Sequence, residues 1–240
     1  MCDARDTSCM VKAALHVPFL VGLASVALFL GHVKAWASDE ADHAARLALP
    51  LPANTDEGKS LYKANCFRCH GSNGFGDGDL GIPTLAGQRF RYLVLQLADF
   101  SDDRRDSTAM HRVMAHASLQ RPQAWVDVAT YLTELPLPRE TQIGTGARTA
   151  QGRRIFREQC VACHGQDARG DDQDFIPSLR NQHYSYLVNQ IVRIAEGHRH
   201  NVDKELVRFL QGFGGPDIDG VADYLSRLRG SGNPGPHSRQ

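Results

Sequence analysis

Two stretches of the chain, CFRCH at residues 66–70 and CVACH at residues 160–164, carry one pattern: two cysteines separated by two residues, then a histidine. C-x-x-C serves three chemistries: a redox dithiol, half of a zinc site, or covalent attachment of a haem. Zinc needs four donors; pooling both motifs supplies four thiolates but leaves His70 and His164 without a role. A dithiol oxidoreductase would sit beside a βαβ pattern, which this sequence does not show. Haem attachment uses every residue. Cys66 with Cys69, and Cys160 with Cys163, would form thioether bonds to porphyrin vinyl groups, and His70 and His164 would bind iron as proximal ligands. The expected cofactors are therefore two covalently bound haem c groups.

The remaining cysteines agree with this reading. Of the six in the chain, Cys2 and Cys9 precede an apolar N-terminal stretch, and the other four all lie inside the two motifs. No cysteine is left over for a separate disulfide framework. Charge is balanced at 27 basic and 27 acidic residues, and no basic run occurs, so a nucleic acid partner is not expected.

The motifs belong to a tandem repeat. At an offset of 94 residues, Gly58 meets Gly152, Tyr62 meets Phe156, Pro83 meets Pro177 and Leu85 meets Leu179. Gln88 falls on Gln182, Tyr92 on Tyr186, Gln96 on Gln190 and Arg105 on Arg199, after which the offset becomes 93 and VATYL (128–132) meets VADYL (221–225). Each copy reads as three helical stretches. The first spans about Asp56 to Cys66, or Ala150 to Cys160, and leads into the motif. The middle one carries Leu93, Gln96, Leu97 and Phe100, or Leu187, Gln190, Ile191 and Ile194. The last shows Trp125, Val128, Ala129, Leu132 and Leu135, matched by Ile218, Val221, Ala222, Leu225 and Leu228, the stripe of an amphipathic helix. Pro122 and Pro216 suit the first turns of those last helices. Glycine-rich loops join motif to middle helix. A unit this small and this rich in loops is hard to stabilise without an apolar group at its centre, which a haem would be.

The N-terminus carries a different signal. Val17 to Gly31 holds 15 residues without a charge, short for a membrane span but suited to a signal-peptide core, and Ala35-Trp36-Ala37 offers a cleavage site before Ser38. The expected organisation is a signal peptide at 1–37, with an uncleaved anchor as the alternative, a first domain at 38–136, a linker at 137–147, a second domain at 148–230 and a disordered tail at 231–240. Either N-terminal reading exports the bulk of the chain; a membrane contact is expected only if the segment is uncleaved.

From about Asp56 to Arg229 the chain resembles the tandem dihaem class I cytochromes c of bacteria. The resemblance rests on the two C-x-x-C-H motifs, on PTLAGQRFRYLVLQLADF and PSLRNQHYSYLVNQI, and on the closing ATYL and ADYL helices. It implies an all-α fold of two tandem class I cytochrome c domains, each wrapped around one covalently attached haem. It implies a periplasmic electron carrier between a redox-protein donor and acceptor. It also implies that the carbonyls of Pro83 and Pro177 accept hydrogen bonds from Nδ1 of His70 and His164.

A haem of this family takes a methionine opposite the histidine. In copy one Met110 follows a charged polar loop, where the family places its ligand; Met114, one helical turn on, suits an apolar core role, and His111 and His116 suit the surface. Copy two has no methionine. At these offsets Met110 falls on Lys204 or Asp203, and His198 and His200 lie nearby, so the second iron is offered histidine, lysine or an open face; His183 reads as a surface residue. The rival to a plain carrier is a dihaem enzyme, peroxidase-like or acting on a sulfur compound, with an open C-terminal haem. A further alternative is the electron-relay subunit of a membrane dehydrogenase.

Overall fold

The structure, a computed structural model, describes residues 39–230. The expected signal segment and C-terminal tail lie outside the described residues. Among those described, the chain is helical, with isolated β-bridges and no sheet. The first copy contains α1 (Asp39–Ala48), α2 (Thr55–Asn65), α3 (Phe67–His70), α4 (Phe90–Ser101), α5 (Thr108–Met114), a 3-10 turn at Ala117–Leu119, and α6 (Pro122–Glu134). The second contains α7 (Thr149–Ile155), a π turn at Phe156–Cys160, α8 (Val161–His164), α9 (Tyr184–Ala195), α10 (Lys204–Gln211) and α11 (Gly215–Ser226).

The three expected helices of each copy are present, with α5 and α10 added between the second and third. Helix α1 was not foreseen from the sequence; it packs on α4 and α6 through Ala45 and Ala48. Local chemistry fixes the ends. The Asn54 side chain accepts from Glu57 N at 3.1 Å, and Pro122 and Pro216 occupy first turns where no intrahelical N–H is missed.

In each copy the first helix crosses the last at a glycine. A Cβ on Gly58 would lie 1.9 Å from the carbonyl oxygen of Asp127, and one on Gly152 would lie 1.8 Å from that of Gly220. No other residue type allows backbones so close. Beside each crossing an aromatic pair fills the gap, Tyr62 with Tyr131 at 5.4 Å and Phe156 with Tyr224 at 5.6 Å between ring centres. This crossing sets where the C-x-x-C-H turn emerges from the first helix.

Candidate functional site

Each motif is a single helical turn hung on the end of the first helix. In copy one Cys66 closes α2, its N–H donating to Tyr62 O at 2.8 Å, and its own carbonyl accepts from His70 N at 3.0 Å. Gly71, at φ +74°, then ends the turn, and Gly165, at φ +73°, does the same in copy two. Cys66 and Cys160 are half-buried, Cys69 and Cys163 are exposed, and all four thiols are free. Burial pushes the Cys66 thiol up to about 12 and the Cys160 thiol up to about 11. A redox dithiol needs the opposite shift, toward a thiolate at neutral pH, so the dithiol reading loses its chemical basis.

The two motif histidines share one environment. Burial lowers the pKa of both rings, which favours neutral imidazoles with one N–H each. His70 Nδ1 lies 3.2 Å from Pro83 O, and His164 Nδ1 lies 3.2 Å from Pro177 O. A carbonyl can only accept, so Nδ1 carries the proton and Nε2 keeps its lone pair for a metal. The loop holding each carbonyl is built alike in both copies. Gly76 N donates to His70 O at 3.0 Å and Gly170 N to His164 O at 2.9 Å, while Asp77 bridges Ile82 and Asp171 bridges Ile176. A Cβ on Gly76 or Gly170 would lie 2.4 Å from the oxygen of Pro83 or Pro177, so only glycine leaves that acceptor in place.

Among the described residues no three His, Cys, Asp or Glu side chains gather into a metal cage. The donor set of each turn is one imidazole nitrogen flanked by two thiols, which fits a haem held by thioethers and ligated from one side. A model of the family "Cytochrome c" matches residues 55–136 and again 149–228. The chain belongs to the cytochrome c family. It is 30% identical over 202 residues to a thiosulfate dehydrogenase electron acceptor of Stutzerimonas stutzeri, covering 77% of this chain and 92% of that one. It is 27% identical over 175 residues to the cytochrome c4 of Pseudomonas aeruginosa, covering 69% and 84%. The crystal structure of reduced cytochrome c4 from Pseudomonas stutzeri matches its fold with a TM-score of 0.66 at 24% identity, over 74% of this chain and all of that one. The protein is thus a tandem dihaem class I cytochrome c that binds two covalent haem c groups and carries electrons between redox proteins. Among its described residues no helix is long and apolar enough to cross a membrane.

In the cytochrome's first domain α5 begins at the Ser107 cap, whose hydroxyl accepts from Met110 N at 3.4 Å. Met110 is half-buried, whereas Met114 is 2% exposed and packs in the apolar core. His111 is engaged, with Nε2 2.9 Å from Arg105 O and Nδ1 2.9 Å from Asp103 Oδ1, and His116 is exposed. In the second domain Asp203 caps α10 as Ser107 caps α5. Aligning the two caps sets Met114 on Leu210, both buried, and Met110 on Leu206. The offset is therefore 96 here, two residues gained before α10 and three lost after it, a compensation that a single running offset could not reveal. Lys204 and Asp203 stand at the start of the helix instead, and His198, His200 and Lys204 are all exposed.

His183 is not a surface residue. It is 7% exposed, its Nδ1 accepts from Gln142 N at 3.0 Å, and its Nε2 donates to Phe75 O at 2.8 Å, tying the second domain to the first domain's histidine-holding loop. Gln88, Gln96, Arg105 and their partners in copy two also proved to be contacts between the domains. Their recurrence at one offset was visible in the sequence; what they touch was not.

Proposed function

We propose that Cys66, Cys69, Cys160 and Cys163 form the thioethers, that His70 and His164 are the proximal ligands, and that Met110 is the distal ligand of the first haem. The observation that carries this is the bare Nε2 beside two thiols, formed identically in both domains by the Pro83 and Pro177 carbonyls. One-electron exchange is the chemistry that haems so held supply. The residues around them keep that exchange simple: the prolines fix the imidazole planes, and Met114, locked in the core, anchors the helix that presents Met110. Replacing Cys66 and Cys69 with Ala should leave one covalent haem in a pyridine haemochrome assay; two would refute the assignment.

The chain works, on this proposal, outside the cytoplasmic membrane as a carrier without substrate chemistry of its own. Its donor is a dehydrogenase oxidising a sulfur oxyanion such as thiosulfate, a reading supported by the name of the relative that matches over most of both chains. A thioether favours Fe(II), so the Met110 side holds the higher potential and the second domain receives the electron. Rapid mixing with reduced thiosulfate dehydrogenase tests this, and failure of the haems to reduce would count against it. Leu206, which has no donor atom where Met110 stands, favours a second reading in which the C-terminal iron has an open face and acts on a small ligand. Binding of carbon monoxide to the ferrous protein would support that reading, and its absence would leave the carrier alone.

A further inference from the structure

The two domains exchange one glutamine each. Gln182 Oε1 accepts from Thr84 N at 2.9 Å and Gln182 Nε2 donates to Thr84 O at 3.0 Å. In mirror fashion Gln88 Oε1 accepts from Ser178 N at 2.7 Å and Gln88 Nε2 donates to Ser178 O at 2.9 Å. Each amide oxygen also takes the N–H of the next residue, His183 at 3.0 Å and Arg89 at 2.8 Å, which fixes the side chain's direction.

The gripped peptides are not arbitrary. The N–H of Thr84 belongs to the amide whose carbonyl is Pro83 O, the acceptor of His70 Nδ1. The N–H of Ser178 belongs to the amide whose carbonyl is Pro177 O, the acceptor of His164 Nδ1. Two unbroken chains of hydrogen bonds therefore run from a histidine ring across the boundary to a glutamine: His70, the Pro83–Thr84 amide, Gln182; and His164, the Pro177–Ser178 amide, Gln88.

Donating a hydrogen bond from the amide N–H moves electron density onto the carbonyl oxygen, so linked bonds strengthen one another, by about 10–30% each. A stronger acceptor at Nδ1 makes the imidazole more basic toward its metal. We infer that Gln182 and Gln88 are positioning residues that lower the potential of the haem in the opposite domain, Gln182 for the first haem and Gln88 for the second. The inference rests on the assignment of His70 and His164 as proximal ligands. Gln182 and Thr84 are both 5% exposed, while Gln88 and Ser178 are half-buried, so the first chain is better shielded from water and carries the larger effect.

The test is a spectroelectrochemical titration of the full-length dihaem protein and of Gln182→Leu and Gln88→Leu, leucine being chosen because it fills the space without offering a new ligand. Gln182→Leu should raise the N-terminal midpoint and leave the C-terminal one in place; Gln88→Leu should do the reverse. A threefold shift in one haem's equilibrium, about 30 mV at about 59 mV per tenfold for one electron, is the expected size. In the reduced, 15N-histidine-labelled protein, the Nδ1–H proton of His70 should move upfield in Gln182→Leu, and that of His164 should not. A shift confined to the variant's own domain, an equal shift of both haems, or none overturns the inference. If Gln182→Leu fails to fold, Gln88→Leu on the more open side decides alone. Retained axial ligation in His70→Ala would show instead that the ligand assignment had failed.

Discussion

Arg105 and Arg199, equivalent residues of the two repeats, pair backbone to backbone across the domain boundary, and each is only 7% exposed. Their guanidinium groups share acceptors: Arg105 donates to Gln96 at 2.7 Å, to Tyr186 at 2.8 Å and to Gln190 at 3.0 Å, and Arg199 donates to Gln96 at 3.0 Å and to Gln190 at 3.2 Å. The carboxylate that faces them is Asp99, with no exposed surface, reached from Arg199 through Asn201. Like charges this close are held together by that carboxylate and by the shared amide oxygens.

Removing Asp99 should therefore loosen the interface more than either domain. Asp99→Leu removes the acceptor of Asn201 Nδ2 across the boundary at 2.6 Å and of Arg104 within the first domain at 3.4 Å, a loss of roughly 1.5–3 kcal/mol for a hydrogen bond to a charged group. Chemical denaturation followed at both haem bands should change from one transition to two. A single transition, displaced by less than about 1 kcal/mol, would show that the amide oxygens suffice.

The helix crossings make a sharper demand. Gly152→Ala would force the α7 and α11 backbones apart, because its Cβ would sit 1.8 Å from Gly220 O. Overpacking of this kind costs up to roughly 3 kcal/mol, and here neither opposing group is a side chain that can swing away. Gly215→Ala, in the first turn of α11 with nothing within 4 Å of the added carbon, should change stability by less than about 0.5 kcal/mol. Equal midpoints for the two variants would contradict the crossing.

Tyr184 gives a pH test. Its hydroxyl donates to Asp219, and that bond, ahead of burial, pushes the Tyr184 pKa up to about 12. The unfolded chain ionises near the ordinary 10.0 while the folded one stays neutral, so the stability contributed is complete below pH 10 and is lost as pH rises toward 12. Urea denaturation should find Tyr184→Phe less stable than the parent by a fixed margin up to about pH 9, narrowing above pH 10. The partial exposure of Tyr184 makes the margin small. A gap that widens with pH would reverse the sign argued here.

The motifs, the repeat and the helical class were legible because covalent attachment leaves a fixed spacing and packing leaves a stripe. Trp125, Val128, Ala129 and Leu132 read as one face and are one face of the core. What could not be read was partnership. Gln182 and His183 look like ordinary polar loop residues until the other domain's Thr84 and Phe75 are set beside them, since nothing local in sequence marks contacts 98 and 108 residues away. Helix α1 was missed for a related reason: Ala45 and Ala48 are too small to draw a hydrophobic stripe, yet small size is what lets them pack against the first domain. The register of α10 against α5 was hidden for another reason: two residues gained and three lost leave nearly the same total.

That register supplies the last prediction. If Leu206 stands where Met110 stands, Leu206→Met should give the second haem a sulfur ligand that the native chain lacks. Thioether ligation stabilises Fe(II), so the C-terminal midpoint should rise toward the N-terminal one, and the long-wavelength band of methionine-bound Fe(III) should double. Lys204→Met, placed by the uncorrected offset, should do neither, since Lys204 opens the helix rather than occupying its third position. Met110→His should lower the N-terminal midpoint and remove the native band, whereas Met114→Leu should keep both and cost less than about 1.5 kcal/mol as a volume-conserving core change. Should Lys204→Met gain the band and Leu206→Met not, the cap-based alignment of α5 with α10 is wrong, and the second distal site must be sought nearer the loop that carries His198 and His200.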